Sequence, residues 1–257
     1  MDKPQMYTAI VNSVTNVAGE FHVAKLKLVD PKEMQFTAGQ YVICKIGPPK
    51  GNHTLSIASA PSQDGTIELL QSVAPMGEGS KWLLGLKPGD PVQFLGPLGK
   101  FVLQKESIRP KVFVATGCGI APLRGMIMDK LSVVSHQSSE SKNSLKAESG
   151  ELMTLFWGLR YETDVFWKDE FEGLAATHPN FRFVLTLSQP ASTQRGEPMD
   201  AWTGAQGRVT EHVIGETPDL TNSEFYLCGT RGMIVDMRQL LTDNGVAPSQ
   251  IFTETFF

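Results

Sequence analysis

What this chain of 257 residues lacks narrows it first. Its three cysteines, Cys44, Cys118 and Cys228, are odd in number and far apart. They suggest no disulfide framework and leave no C-x₂-C pair to hold zinc or an iron–sulfur cluster, so no metal site is expected. No apolar run approaches the ~18 residues a membrane-spanning helix needs. The opening, Met1-Asp2-Lys3-Pro4-Gln5, lacks the charged-then-apolar layout of a signal peptide, and the cytoplasm is the expected location. A formal charge of −4 gives no reason to expect a nucleic-acid partner. Internal repeats are absent too. The one low-complexity stretch, Val134 to Gly150, is Ser-rich with almost no apolar residue. It cannot bury enough surface to offset its ordering entropy and reads as a mobile loop.

What is present suits a globular core: 41% apolar residues and 19% charged. On a prior of roughly 150 residues per domain, the length allows one or two domains. The most informative run is Ala115-Thr116-Gly117-Cys118-Gly119-Ile120-Ala121-Pro122-Leu123-Arg124, after the apolar Val112-Phe113-Val114. A strand, a glycine turn and a helix start make an anion site, because bare N–H groups face outward and glycine has no Cβ to block approach. Alone, such a turn is weak evidence, and Pro122 stands where a dinucleotide fingerprint has its third glycine. A second turn of related kind, Leu227-Cys228-Gly229-Thr230-Arg231-Gly232-Met233, strengthens it. Two such turns at the carboxyl ends of one sheet can face each other across a ligand crevice.

The texture changes once along the chain. Tyr7–Val11, Phe21–Leu28 and Thr66–Val73 alternate as half-buried antiparallel strands do, Tyr41–Ile46 and Pro91–Leu95 are shorter candidates, and six or so strands without long helices predict a small closed β-barrel. One helix interrupts them over Ser80–Leu86, with Ser80 as its expected N-cap. Past Arg109-Pro110, strands at 112–115, 153–157, 181–187 and 224–227 alternate with helices at 123–131, 164–175, 208–213 and 231–243. That alternation predicts a doubly wound α/β domain on a parallel sheet. The boundary falls near Ile108, giving domains 1–108 and 109–257.

A barrel followed by such a domain resembles the ferredoxin–NADP⁺ reductase superfamily over nearly the whole chain. Phe36-Thr37-Ala38-Gly39-Gln40-Tyr41-Val42 resembles that family's entry to a barrel strand, and His53-Thr54-Leu55-Ser56-Ile57-Ala58-Ser59 stands at its flavin motif, Arg-x-Tyr-Ser. Val73-Ala74-Pro75-Met76-Gly77-Glu78-Gly79-Ser80-Lys81-Trp82-Leu83 is similar to the pyrophosphate turn and the helix after it. Pro88-Gly89-Asp90, Gly96–Phe101, Thr116–Pro122, Cys228–Met233 and the ending Phe252-Thr253-Glu254-Thr255-Phe256-Phe257 match later signatures in order.

The resemblance implies FAD in the barrel, NADH or NADPH on the α/β domain, and hydride transfer between them. Electrons would pass to or from a separate carrier: ferredoxin, flavodoxin or free flavin. His53, Thr54, Leu55 and Ser56 would meet the flavin, with Ser56 donating near its reactive nitrogen. The backbone of Gln71, Ser72 and Val73 would line the ring, the N–H groups of Gly79, Ser80 and Lys81 would hold phosphates, and Phe257 would shield the ring. Thr116, Gly117, Gly119, Pro122, Ser188, Gln189, Cys228, Gly229 and Met233 would hold the nicotinamide nucleotide. Cys228 would orient the hydride, and Glu254 would serve proton supply. Each has a plainer reading as well: a strand residue for Ser56, a small buried hydrophobe for Cys228, a solvated carboxylate for Glu254, a core or frayed residue for Phe257.

Two departures matter. His53 stands for the family's Arg, offering one neutral donor instead of a permanently charged fork, and Leu55 stands for Tyr, removing a flat aromatic face. Tight FAD with help from other residues, flavin held loosely as a substrate, and a barrel without flavin all stay open; the intact Gly77–Ser80 turn favours FAD. After Phe183–Leu187 the chain reads Ser188-Gln189-Pro190 where NADPH-using relatives often have Ser-Arg. NADH is therefore expected, with Arg195 within loop reach as the counter-argument. A non-catalytic nucleotide- or flavin-binding subunit or sensor on the same fold is the alternative function.

Overall fold

A computed structural model of the chain describes residues 4–62, 64–140, 151–190 and 202–255. It divides into two compact units: Met1–Leu103 with Ala121–Asp129, and Gln104–Ile120 with Lys130–Phe257.

The first unit is antiparallel. Its strands are β1 (Gln5–Ala18), β2 (Phe21–Asp30), β3 (Tyr41–Gly47), β4 (Gly51–Ser56), β5 (Thr66–Ser72) and β6 (Pro91–Leu98), in the order β4-β3-β6-β1-β2-β5. Just past β4, Ile57 bridges Leu69 of β5, and the Ala58 N–H donates to the Glu68 carbonyl at 2.8 Å. That bridge closes the sheet into a barrel. Alternating residues, among them Ala9, Val11, Leu26, Val42, Cys44, Leu55, Leu69, Val92 and Phe94, fill its interior. Helix α1 (Glu78–Gly85) sends Leu83 into that core. Arg124 is buried in the same unit, donating to the Ala58 carbonyl and to Glu68, both at 2.9 Å. It thereby pins both sides of the closing seam.

The second unit is parallel. Its strands are β7 (Lys111–Thr116), β8 (Met153–Leu159), β9 (Phe181–Leu187), β10 (Ala205–Gln206), β11 (Glu224–Gly229) and β12 (Ile251–Thr255), in the order β10-β9-β8-β7-β11-β12. Helices α2 (Ile120–Glu140, whose segment 121–129 belongs to the first unit), α3 (Lys168–Thr177), α4 (Val209–Glu216) and α5 (Arg231–Asp243) follow the strands. Strands β7, β8 and β11 are buried almost throughout, as parallel strands covered on both faces must be. β7 itself begins on a buried charge, Lys111, paired with Glu151 and, at 3.1 Å, with Glu224 at the start of β11. Its ammonium also donates to the carbonyls of Ser107 at 3.2 Å and Arg109 at 2.7 Å.

The barrel and the doubly wound sheet are as expected; several details differ. β4 and β12 carry no clear alternation and are invisible to a period-2 reading. β1 runs seven residues past Val11 into a hairpin with β2, bulging between Val11 and Ser13. Ser80 is not an N-cap: α1 starts at Glu78, its N-cap is Gly77, and Ser80 is buried in the first turn. α3 starts at Lys168 rather than 164, because Trp167 adopts φ 52 and Glu162–Asp164 forms a separate 3-10 turn. α4 is Val209–Glu216 rather than 208–213. The expected loop from Val134 is helical as far as Glu140, since extending an existing helix costs far less than starting one. Residues 141–150, Arg195, Phe256 and Phe257 lie outside the described residues.

Candidate functional sites in the two units

In the first unit, β4, β5 and α1 converge on one spot. The His53 ring rests on the Gly79 backbone: a Cβ at Gly79 would lie 2.6–2.7 Å from three imidazole atoms. Gln71 of β5 is nine-tenths buried, and its Nε2 reaches the Ser80 hydroxyl at 3.4 Å. His53 Nε2 and Gln71 Oε1 are both buried without a hydrogen-bond partner. Buried polar atoms are nearly always paired, so two orphans beside a helix start mark a place for a polar ligand. The Lys81 N–H is taken by the Gly77 carbonyl at 2.9 Å. Open donors therefore sit one residue earlier than expected, on Glu78, Gly79 and Ser80, where the helix dipole favours an anion. The Lys81 ammonium pairs with Glu78 at 2.8 Å and faces solvent. Burial first, then the Lys50 charge, holds the His53 imidazolium below its usual range.

Ser56 ends β4, buried, on the opposite face from Leu55. Thr54 is exposed. Leu55 is committed to the barrel core and turns no face outward. The Ser72 hydroxyl donates to Glu20 at 2.5 Å, and Val73 packs partly against the core. This cradle fits the pyrophosphate of a flavin dinucleotide: first-turn N–H groups of α1, and a buried imidazole nitrogen, packed on Gly79, that can donate to an anion.

In the second unit the two glycine turns are adjacent, because β7 and β11 pair directly in the parallel register Ala115 to Cys228. The order of strands reverses here, β8 following on one side of β7 and β11 on the other, which is the position where open α/β sheets bind ligands. The turns do not leave the gap expected between them; they interlock. A Cβ on Gly119 would overlap the Cys228 carbonyl and lie 2.7 Å from Gly229 Cα. Gly229, at φ 144, presses in turn on Thr116, whose hydroxyl accepts the Thr230 N–H at 3.0 Å. Gly117 adopts φ 53, open to glycine and costly for other residues. Pro122 sits in the first turn of α2, where its missing N–H costs nothing.

Cys228 is fully buried. Burial chiefly, then Glu254 and Cys118, pushes its thiol well above the ordinary range. That disfavours the thiolate, the form in which a cysteine acts as a nucleophile. Glu254 stands opposite it in the β11–β12 register, half-buried. Met233 spends its side chain in the core and its N–H on the Thr230 hydroxyl at 3.4 Å. Ser188 and Gln189 are exposed at the end of β9, and the Gln189 N–H donates to the Arg160 carbonyl at 2.8 Å. Arg160 was missed by sequence reading: it stands at the end of the neighbouring strand, its guanidinium 5.8 Å from the Tyr161 ring. Trp157 was missed likewise. Its indole N–H donates to the Gly117 carbonyl at 3.2 Å and ties the nucleotide turn to β8. A cavity of about 590 Å³ lined by Gln104, Arg109, Glu224, Ser249 and Phe252 lies at the amino ends of the strands, away from these turns.

A barrel with an anion cradle joined to a doubly wound sheet with interlocked glycine turns defines a two-domain, flavin- and nucleotide-binding oxidoreductase. Known proteins agree. Residues 8–103 match the oxidoreductase FAD-binding domain and residues 113–239 the oxidoreductase NAD-binding domain. Ferredoxin–NADP reductase B of Sorangium cellulosum is 31% identical over 236 residues, 88% of each chain. A component of the Na⁺-translocating NADH-quinone reductase of Pseudomonas aeruginosa is 30% identical over 213 residues, 78% of this chain and 47% of that one, so the chain spans about half its length. Among solved structures, the Amycolatopsis cytochrome P450 reductase superposes with a TM-score of 0.82 at 27% identity, covering 98% of this chain and 70% of that one. A Neisseria gonorrhoeae ferredoxin NADP⁺ reductase with bound FAD and NADP shares the fold, with a TM-score of 0.75 at 20% identity over the full length of both. The chain belongs to the ferredoxin–NADP reductase superfamily, with an FAD-binding and an NAD-binding domain. No helix among its described residues is long and apolar enough to cross a membrane.

Proposed function

We propose that this protein is a cytoplasmic NADH-dependent flavoprotein reductase that passes electrons to a separate carrier: ferredoxin, flavodoxin or free flavin. The observation that carries the reading is the cradle of His53, Gln71 and the α1 start, where a buried, unsatisfied imidazole nitrogen stands beside the first-turn N–H groups. The flavin supplies the hydride chemistry when bound. Residues 1–108 act as its domain and 109–257 as the nicotinamide nucleotide's. The chain's own work is then positioning. Glu78, Gly79 and Ser80 give N–H donors to phosphate, and Ser56 holds the reacting edge of the flavin. Gly117, Gly119 and Gly229 admit the nucleotide backbone closely, Cys228 gives a small neutral contact, and Glu254 holds a proton-accepting carboxylate beside it.

Gln189 in place of a guanidinium supports NADH. Arg160, hydrogen-bonded to Gln189 through its carbonyl, is the specific observation favouring NADPH instead. Leu55, sunk in the barrel core, favours the non-catalytic reading, because no aromatic face is offered there. An absorption spectrum of the purified protein and stopped-flow bleaching with each nucleotide decide between them. A yellow protein bleached faster by NADH supports the proposal; faster bleaching by NADPH reassigns the nucleotide to Arg160; a protein that binds flavin without bleaching is a non-catalytic binding protein.

A further inference from the structure

We propose that His53 makes flavin retention proton-linked: the imidazole takes up one proton from solvent as a pyrophosphate settles on the start of α1, so the site grips FAD more tightly as pH falls. The inference rests on reading the barrel cradle as the flavin site.

The geometry carries it. The imidazole lies flat on Gly79, the middle of the three open N–H positions, so an anion reaching those donors meets the ring. Its Nε2 is buried and unsatisfied, and the neighbouring Gln71 side chain, whose oxygen is likewise unsatisfied, favours the protonated ring. A neutral imidazole carries one N–H and an imidazolium two, so only the charged form satisfies both ring nitrogens as donors. Without an anion the charged form is disfavoured, by burial and by Lys50. With one, the same low-dielectric setting turns in its favour. Binding and protonation are then linked, and each strengthens the other.

The groups facing His53 make the assignment specific. On its own hairpin stands Lys50, a fixed cation. Cys44 lies opposite on β3, its thiol pushed up to about 12 and silent in this window. From β5 comes the uncharged Gln71, and from α1 come Glu78 and Lys81, paired with each other. The remaining imidazole of the region is His22, opposite Gln71 on β2, which contacts the Asn16 amide at 3.3 Å and the Glu20 carbonyl at 3.4 Å. It is the internal control.

The test titrates the flavin-stripped full chain with FAD by flavin fluorescence between about pH 5.5 and pH 8.5. Kd should fall roughly tenfold or more toward the acid end, at most about tenfold per pH unit for a single proton. His53→Arg should bind tightly and without pH dependence, His53→Gln weakly and without it, and His22→Gln like the parent. A second readout needs no variant: the His53 ring-proton NMR midpoint should rise when FAD or inorganic pyrophosphate is added. FAD binding whose affinity does not change with pH, or pH dependence surviving in His53→Gln, overturns the inference while the flavin site stands. No FAD binding at any pH overturns the site reading and the inference with it.

Discussion

The barrel cradle and the interlocked turns of the parallel sheet both present glycines and helix starts to an anion, yet they are built oppositely. The turns of the sheet are complete without a ligand: Gly119 fits under the Cys228 carbonyl, Gly229 over Thr116, and the Thr116 hydroxyl already holds the Thr230 N–H. The cradle is incomplete, leaving His53 Nε2 and Gln71 Oε1 unsatisfied. A complete site is preorganised, so ligand contacts add with little ordering cost. An incomplete one carries a desolvation penalty that its ligand removes, as suits a resident cofactor. Changes in the sheet should therefore strike folding and binding together, and changes in the cradle should strike retention of one ligand.

The sharpest break is Gly119→Ala. Its Cβ overlaps backbone that cannot move away, so it should cost roughly 3 kcal/mol or more of stability and abolish nucleotide binding. Thermal unfolding and NADH titration check this; an unchanged Tm would show the turn to be loose. Gly79→Ala meets only the movable His53 ring and should weaken FAD with little loss of Tm. Next are the reacting residues. Ser56→Ala and Cys228→Ala should slow flavin reduction by up to roughly a hundredfold, because small displacements of reacting groups cost that much. Their nucleotide affinity should stay near the parent's, and parental rates in both would overturn the positioning roles. Arg160→Gln should lower NADPH affinity by roughly tenfold, as expected for losing one charge-assisted hydrogen bond, and leave NADH unaffected. Equal loss for both nucleotides would place Arg160 away from the 2′ position.

The smallest effect concerns His212, whose ring nitrogens face the Glu216 carboxylate at 3.0 Å and the Gln206 carbonyl at 2.9 Å. Burial opposes the charged ring, but these two acceptors prevail and raise its pKa. A raised folded-state pKa adds stability that is fully present below the ordinary histidine range and lost as pH rises through the folded value. His212→Gln should therefore cost under about 1 kcal/mol in mild acid and less in mild alkali. A larger loss on the alkaline side would contradict the sign.

Much of this was legible in the sequence. The strand-to-helix alternation past Arg109 needed only apolar periodicity and glycine punctuation, which local chemistry dictates. β4 and β12 were not legible as strands, because neither alternates and each is held in place by its partners, Tyr41–Gly47 and Glu224–Gly229. Lys111 carries no local sign of being buried; Glu151 and Glu224, distant in sequence, make it tolerable. Arg160 escaped notice for a related reason. A phosphate-pairing cation is expected at the end of β9, whereas this one stands just past β8, one strand over.

The placement of the three cysteines gives the protein built-in reporters of its own opening. Cys44 is sealed in the barrel and Cys228 in the parallel sheet, one in each unit, while Cys118 is half-buried in the glycine turn. The thiolate is the form that attacks thiol reagents, and burial disfavours it at both sealed groups. In a labelling time course, Cys118 should be modified first. The rates at Cys44 and Cys228 would then clock, separately and in a single experiment, how often the barrel and the sheet breathe open.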